Sequence, residues 1–262
     1  MNPRIATLTN RIVDAVREII LEEGVTFEEY RKSTQFFLDV AEKGEIPLFQ
    51  DVFFNATIAQ SEDARRQGSA SDMEGPYFLD GVPDLPSHGG SMKVLPEDAD
   101  AERMRIVAAV KDVDGNPVSG AKVYVWHSTA DGRYSGIHDG ITRDFNRGCV
   151  FTDDKGTFSV DSIVPVPYEI PKDGPSGWLL NEIGRHTWRP AHIHFKIEKE
   201  GLFGLTTQAY FQGGDYVGDD CCDSCPAGSE LIMPAKYDGD VRVVEITFVL
   251  DEALAPLAVA AE

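Results

Sequence analysis

Two histidines lie one residue apart in Ala191-His192-Ile193-His194-Phe195-Lys196-Ile197, a segment in which apolar and polar residues alternate. Successive side chains of a β-strand point to opposite faces, so the apolar face would be buried and both imidazoles would share the other face. Neutral imidazole is a common ligand of zinc and iron. His192 and His194 are therefore predicted metal ligands, and further ligands must come from elsewhere in the chain.

Two tyrosines lie in segments that could supply those ligands. Tyr134 follows a predicted strand that ends in Val125-Trp126-His127, and Tyr168 lies in Val164-Pro165-Val166-Pro167-Tyr168-Glu169-Ile170-Pro171. The prolines favour an extended backbone at Tyr168. Each tyrosine taken alone also fits an ordinary surface or core position, so the residues by themselves leave both interpretations open.

The first 70 residues are predicted to be helical. Apolar residues recur at three- and four-residue steps over residues 5–20, and Gly24 follows as a helix stop. Thr26 and Glu29 form a capping-box pattern that opens a second helix, and a third helix is predicted over residues 47–60. These helices could either cover the main domain or mediate dimerisation, and their pattern favours neither role.

From about Ser71 the spacing of apolar residues changes from helical to strand-like. Clusters of Gly, Pro and Asp indicate a long ordered linker, after which strand-length segments alternate with turn sequences. The predicted fold is mainly β, with an N-terminal α-helical segment over residues 1–70 and an antiparallel β-sandwich domain over residues 71–262. The predicted strands cover residues 105–113, 122–126, 156–160, 192–197 and 241–250.

Charge and composition restrict the classes of partner. The formal net charge is −20, so nucleic acid and anionic membrane surfaces would be repelled. The opening residues lack the apolar core of a signal peptide, and no apolar run is long enough to span a bilayer. Cys221, Cys222 and Cys225 are bunched, which fits reduced thiols better than a disulfide framework. We therefore expect a soluble, cytoplasmic protein.

Four motifs that follow one another along the chain carry a family resemblance. They are Gly75-Pro76-Tyr77-Phe78, Val125-Trp126-His127-Ser128 with Tyr134-Ser135, Pro167-Tyr168-Glu169-Ile170-Pro171, and Gly184-Arg185-His186 through Arg189-Pro190-Ala191-His192-Ile193-His194. Together they resemble the intradiol ring-cleaving dioxygenases over nearly the whole chain. Three finer features look most like the chlorocatechol 1,2-dioxygenase branch of that family: Asp51-Val52-Phe53-Phe54-Asn55, Tyr134-Ser135-Gly136-Ile137-His138-Asp139 and Asp219-Asp220-Cys221-Cys222.

The resemblance implies a metal centre. In that family one non-haem Fe(III) per subunit is held by two tyrosinates, two histidines and a hydroxide, and the matching positions here are Tyr134, Tyr168, His192 and His194. A phenol in water has a pKa of about 10. Its anion is a hard donor that stabilises the ferric state, and the cation in turn keeps the phenol deprotonated.

The resemblance also implies a reaction. A catechol chelates the iron, Tyr168 is the tyrosine that leaves the metal and takes a substrate proton, and O2 opens the ring between the two hydroxylated carbons to a cis,cis-muconate. Arg189 matches the family arginine that stabilises the charge developing on the attacked carbon. Gln208 matches the glutamine that lines the same pocket.

Substrate choice and assembly follow from the same resemblance. Chlorinated rings are expected substrates, because Val52 is small for its position and could leave room for chlorine, and plain catechol is expected to react too. Hydroxyquinol stays an alternative, because it shares the chelating diol and differs only in its ring substituent. A homodimer through the N-terminal helices, with a bound phospholipid between the subunits, is also implied. The implied pocket residues are Leu48, Asp51, Val52, Gly75, Pro76, Tyr77, Phe78 and Cys222.

Three other interpretations are open at this point. His192-x-His194-x-x-x-Glu198 fits half of a cupin motif, in which Glu198 would be a third ligand of Fe(II), Mn or Zn. Cys222-x-x-Cys225 fits half of a zinc ribbon, although no second pair with suitable spacing accompanies it. Residues 114–123 resemble the turn and strand of non-catalytic sandwich modules, and a fold alone does not give a function.

Overall fold

The computed structural model describes residues 2–252. The N-terminal part of this range is helical, as the apolar spacing predicts. Its α-helices are α1 (Pro3–Glu23), α2 (Phe27–Glu42), α3 (Ile46–Gln50) and α4 (Ala56–Asp63).

The ends of the first two helices follow from their local sequence. The Asn2 side chain accepts hydrogen bonds from two backbone N–H groups in the first turn of α1, and Gly24 ends this helix in the left-handed conformation with φ 64°. The predicted capping box at the start of α2 is present, since Thr26 and Glu29 each accept a hydrogen bond from the other's backbone N–H.

The third predicted helix is interrupted by a π-helical turn. Residues Asp51–Asn55 form this turn between α3 and α4, and π-turns inside α-helices are frequent at functional sites. The Asn55 side chain donates a hydrogen bond of 2.9 Å to the carboxylate of Asp51. Val52, which follows Asp51 in the chain, is buried.

A β-sandwich follows the helices. Its strands are β1 (Asp84–Leu85), β2 (Gly90–Ser91), β3 (Arg103–Asp112), β4 (Lys122–His127), β5 (Arg147–Phe151), β6 (Thr157–Ile163), β7 (Tyr168–Glu169), β8 (Trp188–Arg189), β9 (His192–Glu198), β10 (Leu205–Phe211), β11 (Ile232–Met233), β12 (Tyr237–Asp238) and β13 (Val241–Leu250). Within residues 2–252, one sheet has the strand order β1-β5-β4-β9-β10-β11, a second has the order β12-β13-β3-β6-β2, and β7 pairs with β8 alone.

The two larger sheets enclose the main core. Phe195 on β9 meets Phe248 on β13 across the sandwich, with ring centroids 4.9 Å apart. Most long ladders are antiparallel, as predicted, but β3 and β13 run parallel over nine paired residues. These two strands are far apart in the chain, so no hairpin turn constrains their relative direction.

Short elements outside the predicted set complete the domain. A 3-10 turn covers Pro96–Asp98, and helix α5 covers Pro175–Glu182 between β7 and β8. Strands β5 and β10 flank the β4–β9 pair in the first sheet. The spacing of apolar residues predicted neither α5 nor these two strands.

Helix α1 presents an apolar stripe that the rest of the described chain does not cover. Ile5, Ile12 and Ile19 are 62%, 65% and 55% exposed, and none of residues 3–23, all within the described range, is buried. Among residues 2–252 no helix combines the length and the apolar character that a membrane span requires.

Candidate metal centre

Strand β9 directs both predicted histidines to one face. Ile193 and Phe195 are fully buried in the sandwich core, so the two-residue period of the strand sends His192 and His194 to the opposite face. The His194 ring stacks on Trp126 of β4, with centroids 4.6 Å apart and an interplanar angle of 3°. Since His194 Nδ1 has no hydrogen-bond partner within residues 2–252, this stack helps to orient the ring.

Three donor atoms converge on this face. The Nε2 atoms of His192 and His194 lie 3.1 Å apart, and Tyr134 Oη lies 3.4 Å from each of them. Donors that share one metal ion through bonds of about 2 Å stand at such separations from one another. His192 Nδ1 donates to the Pro190 carbonyl oxygen at 2.7 Å, so its Nε2 keeps the lone pair for a ligand bond. The three side chains therefore fit a metal ion.

Burial determines the protonation of these groups. It lowers the pKa of His192 and of His194 well below the usual histidine value, so both imidazoles are neutral. Burial also raises the pKa of the Tyr134 phenol well above its usual value, and the neighbouring Tyr168 adds to this shift. Tyr134 therefore becomes an anionic ligand only beside a strong positive charge, as a metal cation would provide.

Tyr168 approaches the same point from the small β7–β8 sheet. It lies directly opposite Arg189 on β8, and its ring centroid is 5.5 Å from those of Tyr134 and His192. Burial raises the pKa of the Tyr168 phenol, although the Arg189 cation opposes this shift. The fourth predicted ligand thus stands beside the three converging donors.

Arg189 is a buried cation beside the donors. Its Nη2 and Nε atoms lie 3.0 and 3.3 Å from the two carboxylate oxygens of Asp220. Nη2 also lies 3.1 Å from Gln208 Oε1 and from Tyr210 Oη, and Nη1 lies 3.4 Å from His192 Nε2. Burial alone would lower the pKa of Arg189, but the Asp220 carboxylate, together with Tyr210, Tyr168 and Cys222, raises that pKa well above its usual value, so Arg189 stays charged.

A second buried carboxyl group lies behind Arg189. Asp72 Oδ2 accepts a hydrogen bond of 2.7 Å from Tyr210 Oη. Burial raises the pKa of Asp72 to about 6, against the opposing effect of Arg189. Gln208 Nε2 donates to the backbone carbonyl of Met73 at 2.8 Å. These bonds connect Arg189 to the segment that continues into residues 75–77.

A cavity of about 400 Å³ adjoins these groups, a volume within the usual range for small-ligand sites. The corner between α2 and α3, the segment 73–77 and the loop at Cys222 supply its walls. The side chains of Tyr168, Arg189 and His194 face it from the strands. The full set of lining residues is Lys43, Gly44, Glu45, Pro47, Leu48, Asp51, Met73, Gly75, Pro76, Tyr77, Tyr168, Ile170, Pro171, Arg189, His194 and Cys222.

Two family models match the chain. One, described as "Dioxygenase", matches residues 73–252, and the other, described as "Catechol dioxygenase N terminus", matches residues 2–70. The chain belongs to this dioxygenase family. The predicted family is thereby confirmed.

Relatives of this dioxygenase are similar over nearly their full length. A chlorocatechol 1,2-dioxygenase from Pseudomonas sp. strain P51 is 44% identical over 253 residues, which cover 97% of this chain and 98% of that protein. One from Cupriavidus pinatubonensis strain JMP 134 is 43% identical over 255 residues, with coverage of 97% and 98%. The crystal structure of a chlorocatechol 1,2-dioxygenase from Pseudomonas putida matches with a TM-score of 0.90 and 44% identity, covering 96% of this chain and 100% of that chain. The predicted mainly β fold is confirmed by this match.

In this dioxygenase most of the predicted pocket residues line one cavity. They are Leu48, Asp51, Gly75, Pro76, Tyr77 and Cys222. Val52 instead packs behind the wall with Met73, and Phe78 packs against Trp126. Gln208 lies behind Arg189 rather than on the cavity surface. The roles predicted for all these residues stay predictions.

Several residues around Arg189 and the cavity were missed in the sequence analysis. Asp220 belongs to a family motif that carried no site prediction for it, although it forms the ion pair with Arg189. Asp72 and Tyr210, which are in contact, belong to none of the family motifs. Glu45 lies in the turn between α2 and α3. The neighbours of Asp72 and Asp220 in the chain are largely polar, as in Ser69-Ala70-Ser71-Asp72 and Gly218-Asp219-Asp220, so no local pattern indicated that these carboxyl groups are buried.

The competing metal interpretations do not fit the geometry. Glu198, the third cupin ligand, is exposed at the far end of β9. Cys222 and Cys225 lie in different apolar clusters, so they do not form half of a zinc ribbon. Asp220, Cys221 and Cys222 lie close together, but both Asp220 oxygens already contact Arg189.

Proposed function

We propose that this dioxygenase cleaves chlorocatechols, and also catechol, with O2 between the two hydroxylated carbons, forming chloro-cis,cis-muconates or cis,cis-muconate. The observation that carries the proposal is the convergence of Tyr134, His192 and His194 beside a cavity that Tyr168 and Arg189 also face. The 44% identity to a chlorocatechol 1,2-dioxygenase supports the substrate class.

We further propose that Tyr134, Tyr168, His192 and His194 hold one Fe(III). Two neutral imidazoles and two phenols form a nitrogen and oxygen donor set that suits iron. Fe(III) favours anionic oxygen donors, which agrees with phenols that burial keeps protonated until a cation is present. When bound, such an ion would withdraw electron density from a chelated diol and so activate its ring towards O2.

The remaining chemistry belongs to the side chains of the cavity. Tyr168 lines the cavity, whereas Tyr134 is fully buried. Tyr168 is therefore the phenolate placed to take a proton from a substrate hydroxyl. Arg189 is a cation held in place by Asp220, so it can stabilise negative charge on the ring without reorganising.

The wall residues bear on the choice among ring substituents. Leu48, Pro76 and Ile170 offer apolar contacts to a chlorine atom, whereas Asp51 is a carboxylate that could accept a hydrogen bond from a third hydroxyl group. Hydroxyquinol therefore stays the second candidate substrate. Specificity constants for catechol, its 3-chloro, 4-chloro and 3,5-dichloro derivatives and hydroxyquinol would rank them, and we expect a chlorocatechol to rank first.

We propose a homodimer formed through the N-terminal helices, with a phospholipid between the subunits. The exposed apolar stripe of α1 supports this assembly, because an uncovered stripe of that length is unfavourable in water. We also propose a cytoplasmic location. The four cysteines are free thiols, which agrees with a reducing compartment.

The proposed function is tested by the visible absorption spectrum of the purified protein in air, before and after addition of 4-chlorocatechol. Tyrosinate-to-Fe(III) charge transfer should give a broad visible band that shifts when the substrate binds, followed by formation of the chloromuconate. Metal analysis of the same sample should give iron. A colourless protein that holds zinc, or an iron protein that leaves 4-chlorocatechol and catechol intact, would contradict the proposal.

A further inference from the structure

Cys221 and Cys222 form a vicinal dithiol that the proposed reaction does not use. Their Sγ atoms lie 3.7 Å apart, and both residues are 2% exposed. Both thiols are free. Two sulfur atoms this close are available together to a single soft centre that bonds to sulfur.

The cavity gives access to this pair. Cys222 lines the cavity together with Tyr168 and Arg189. Cys221 lies in the same apolar cluster as Cys222, which also contains Val52. A reagent that enters the cavity therefore contacts Cys222 first, and the Cys221 Sγ atom lies close enough to bond to the same reagent.

The surroundings select the class of ligand. Asp220 cannot serve as a third donor, because its carboxylate is paired with Arg189 and also accepts a hydrogen bond from the Cys222 N–H at 3.0 Å. Among the residues that the structure describes, Asp220 is the one carboxylate grouped with the two sulfurs, so the site offers two sulfurs and no free carboxylate beside them. Pyramidal trivalent arsenic bonds to two sulfurs that nearly touch, whereas linear Hg²⁺ requires them to stand further apart.

We propose that Cys221 and Cys222 together bind trivalent arsenicals of the aryl arsenoxide class, and that the bound arsenical obstructs the catalytic cavity. Each thiol sulfur forms one bond to arsenic, the two arsenic–oxygen bonds break, and the oxygen leaves as water with the two thiol protons. Arsenic stays trivalent and both sulfurs keep their oxidation state. No oxidant or reductant takes part.

The test uses phenylarsine oxide on the full-length folded protein, read by intact mass. We expect one adduct per chain that survives an excess of a monothiol but is removed by 2,3-dimercaptopropanol. Cys221→Ser and Cys222→Ser should each lose this resistant adduct. The double variant Cys149→Ser/Cys225→Ser should keep it, because Cys149 and Cys225 lie in two other clusters.

Two further readouts locate the adduct. An excess of 4-chlorocatechol under anaerobic conditions should slow the labelling, and labelled protein should lose turnover that 2,3-dimercaptopropanol restores. A resistant adduct that persists in both single serine variants, or no adduct on the folded protein, would overturn the proposal. An adduct that forms while turnover is unchanged would overturn the obstruction of the cavity. Because mass reports the adduct without turnover, a failure of the proposed function is distinguishable from a failure of this proposal.

Discussion

Tyr168 and Arg189 are cross-strand partners in the two-stranded β7–β8 sheet. The proposed proton acceptor and the proposed stabilising cation are therefore held at a fixed backbone separation. The loop after β10 clamps this sheet, since Asp220 pairs with Arg189 and Tyr216 stacks on Trp188 at an interplanar angle of 2°. Tyr216 adopts a left-handed backbone with φ 63°, a conformation that is unfavourable for a tyrosine and is retained where the surrounding structure requires it.

Replacing Tyr168 should impair turnover more than binding. Tyr168→Phe removes the phenol that would take a substrate proton, so kcat for 4-chlorocatechol should fall by at least about 100-fold. The visible band should also shift, because one of two phenolate ligands is lost. Steady-state kinetics and the absorption spectrum of the iron-loaded variant measure both effects.

Tyr237→Phe is the matched control for this change. Tyr237 is 54% exposed on β12, away from the cavity. Removal of the Tyr237 hydroxyl group should leave kcat for 4-chlorocatechol and the visible spectrum unchanged. Full activity together with an unchanged spectrum in Tyr168→Phe would show that Tyr168 is not a ligand.

Removing the charge of Asp220 should destabilise the protein and misplace Arg189. Both side chains of the pair are buried, at 3% and 0% exposure. Asp220→Asn leaves the Arg189 cation without its anionic partner, which costs about 3–5 kcal/mol in buried pairs. Urea unfolding should show this loss, and kcat should fall because the cation is no longer held towards the ring.

Asp223→Asn provides the comparison. Asp223 also pairs with an arginine, Arg185, at 2.9 Å, but its side chain is 67% exposed. An exposed pair contributes less than about 1 kcal/mol, so this variant should be nearly as stable and active as the parent protein. Equal losses in the two variants would argue against a special role for the buried pair.

The buried carboxyl group of Asp72 should make stability depend on pH. Its pKa is raised from 3.8 to about 6 in the folded protein, so the folded state binds its proton more tightly than the unfolded state. Below pH ~4 the protonated Asp72 therefore contributes its full stabilisation of the folded state, at most about 3 kcal/mol. This stabilisation is lost as the pH rises through ~6. The Asp72→Asn variant has no ionisable group at this position, so its stability should not show this decrease as the pH rises.

Urea unfolding at several pH values between 4 and 7 measures this effect. The free energy of unfolding of Asp72→Asn minus that of the parent protein should increase with pH over this range. Parallel pH profiles for the two proteins would mean that Asp72 ionises normally in the folded state.

Glu45 should connect the helical region to the catalytic domain. Its Oε2 atom accepts a hydrogen bond of 2.9 Å from the backbone N–H of Ser176, 131 residues away, in the first turn of α5. The N-cap residue of α5 is Gly174, which has no side chain to cap the helix, so Glu45 takes that role. Glu45→Ala should cost about 1 kcal/mol of stability and raise KM, because Glu45 also lines the cavity.

Glu42→Ala controls for the loss of a negative charge nearby. Glu42 is exposed at the end of α2 and does not line the cavity. Thermal unfolding and the KM for 4-chlorocatechol should be unchanged in this variant. An unchanged KM in Glu45→Ala would mean that the α2–α3 corner keeps its position without this hydrogen bond.

Local sequence patterns determined the elements that position the site. The capping box at Thr26 and Glu29 and the glycine stop at Gly24 are built from neighbouring residues, so they are present as predicted. Alternation along β9 likewise determined that His192 and His194 share a face. Motifs of the family added Tyr134, Tyr168 and Arg189, which spacing alone left open.

Tertiary structure decided which distant groups meet. Asp72 and Tyr210 are 138 residues apart in the chain, and Arg189 and Asp220 are 31 apart, yet both pairs are in contact. The parallel direction of β3 and β13 and the position of Val52 behind the cavity wall also appear only in the folded chain. Periodicity reports which face of an element is buried, whereas the partner across a buried contact depends on how all the elements pack together.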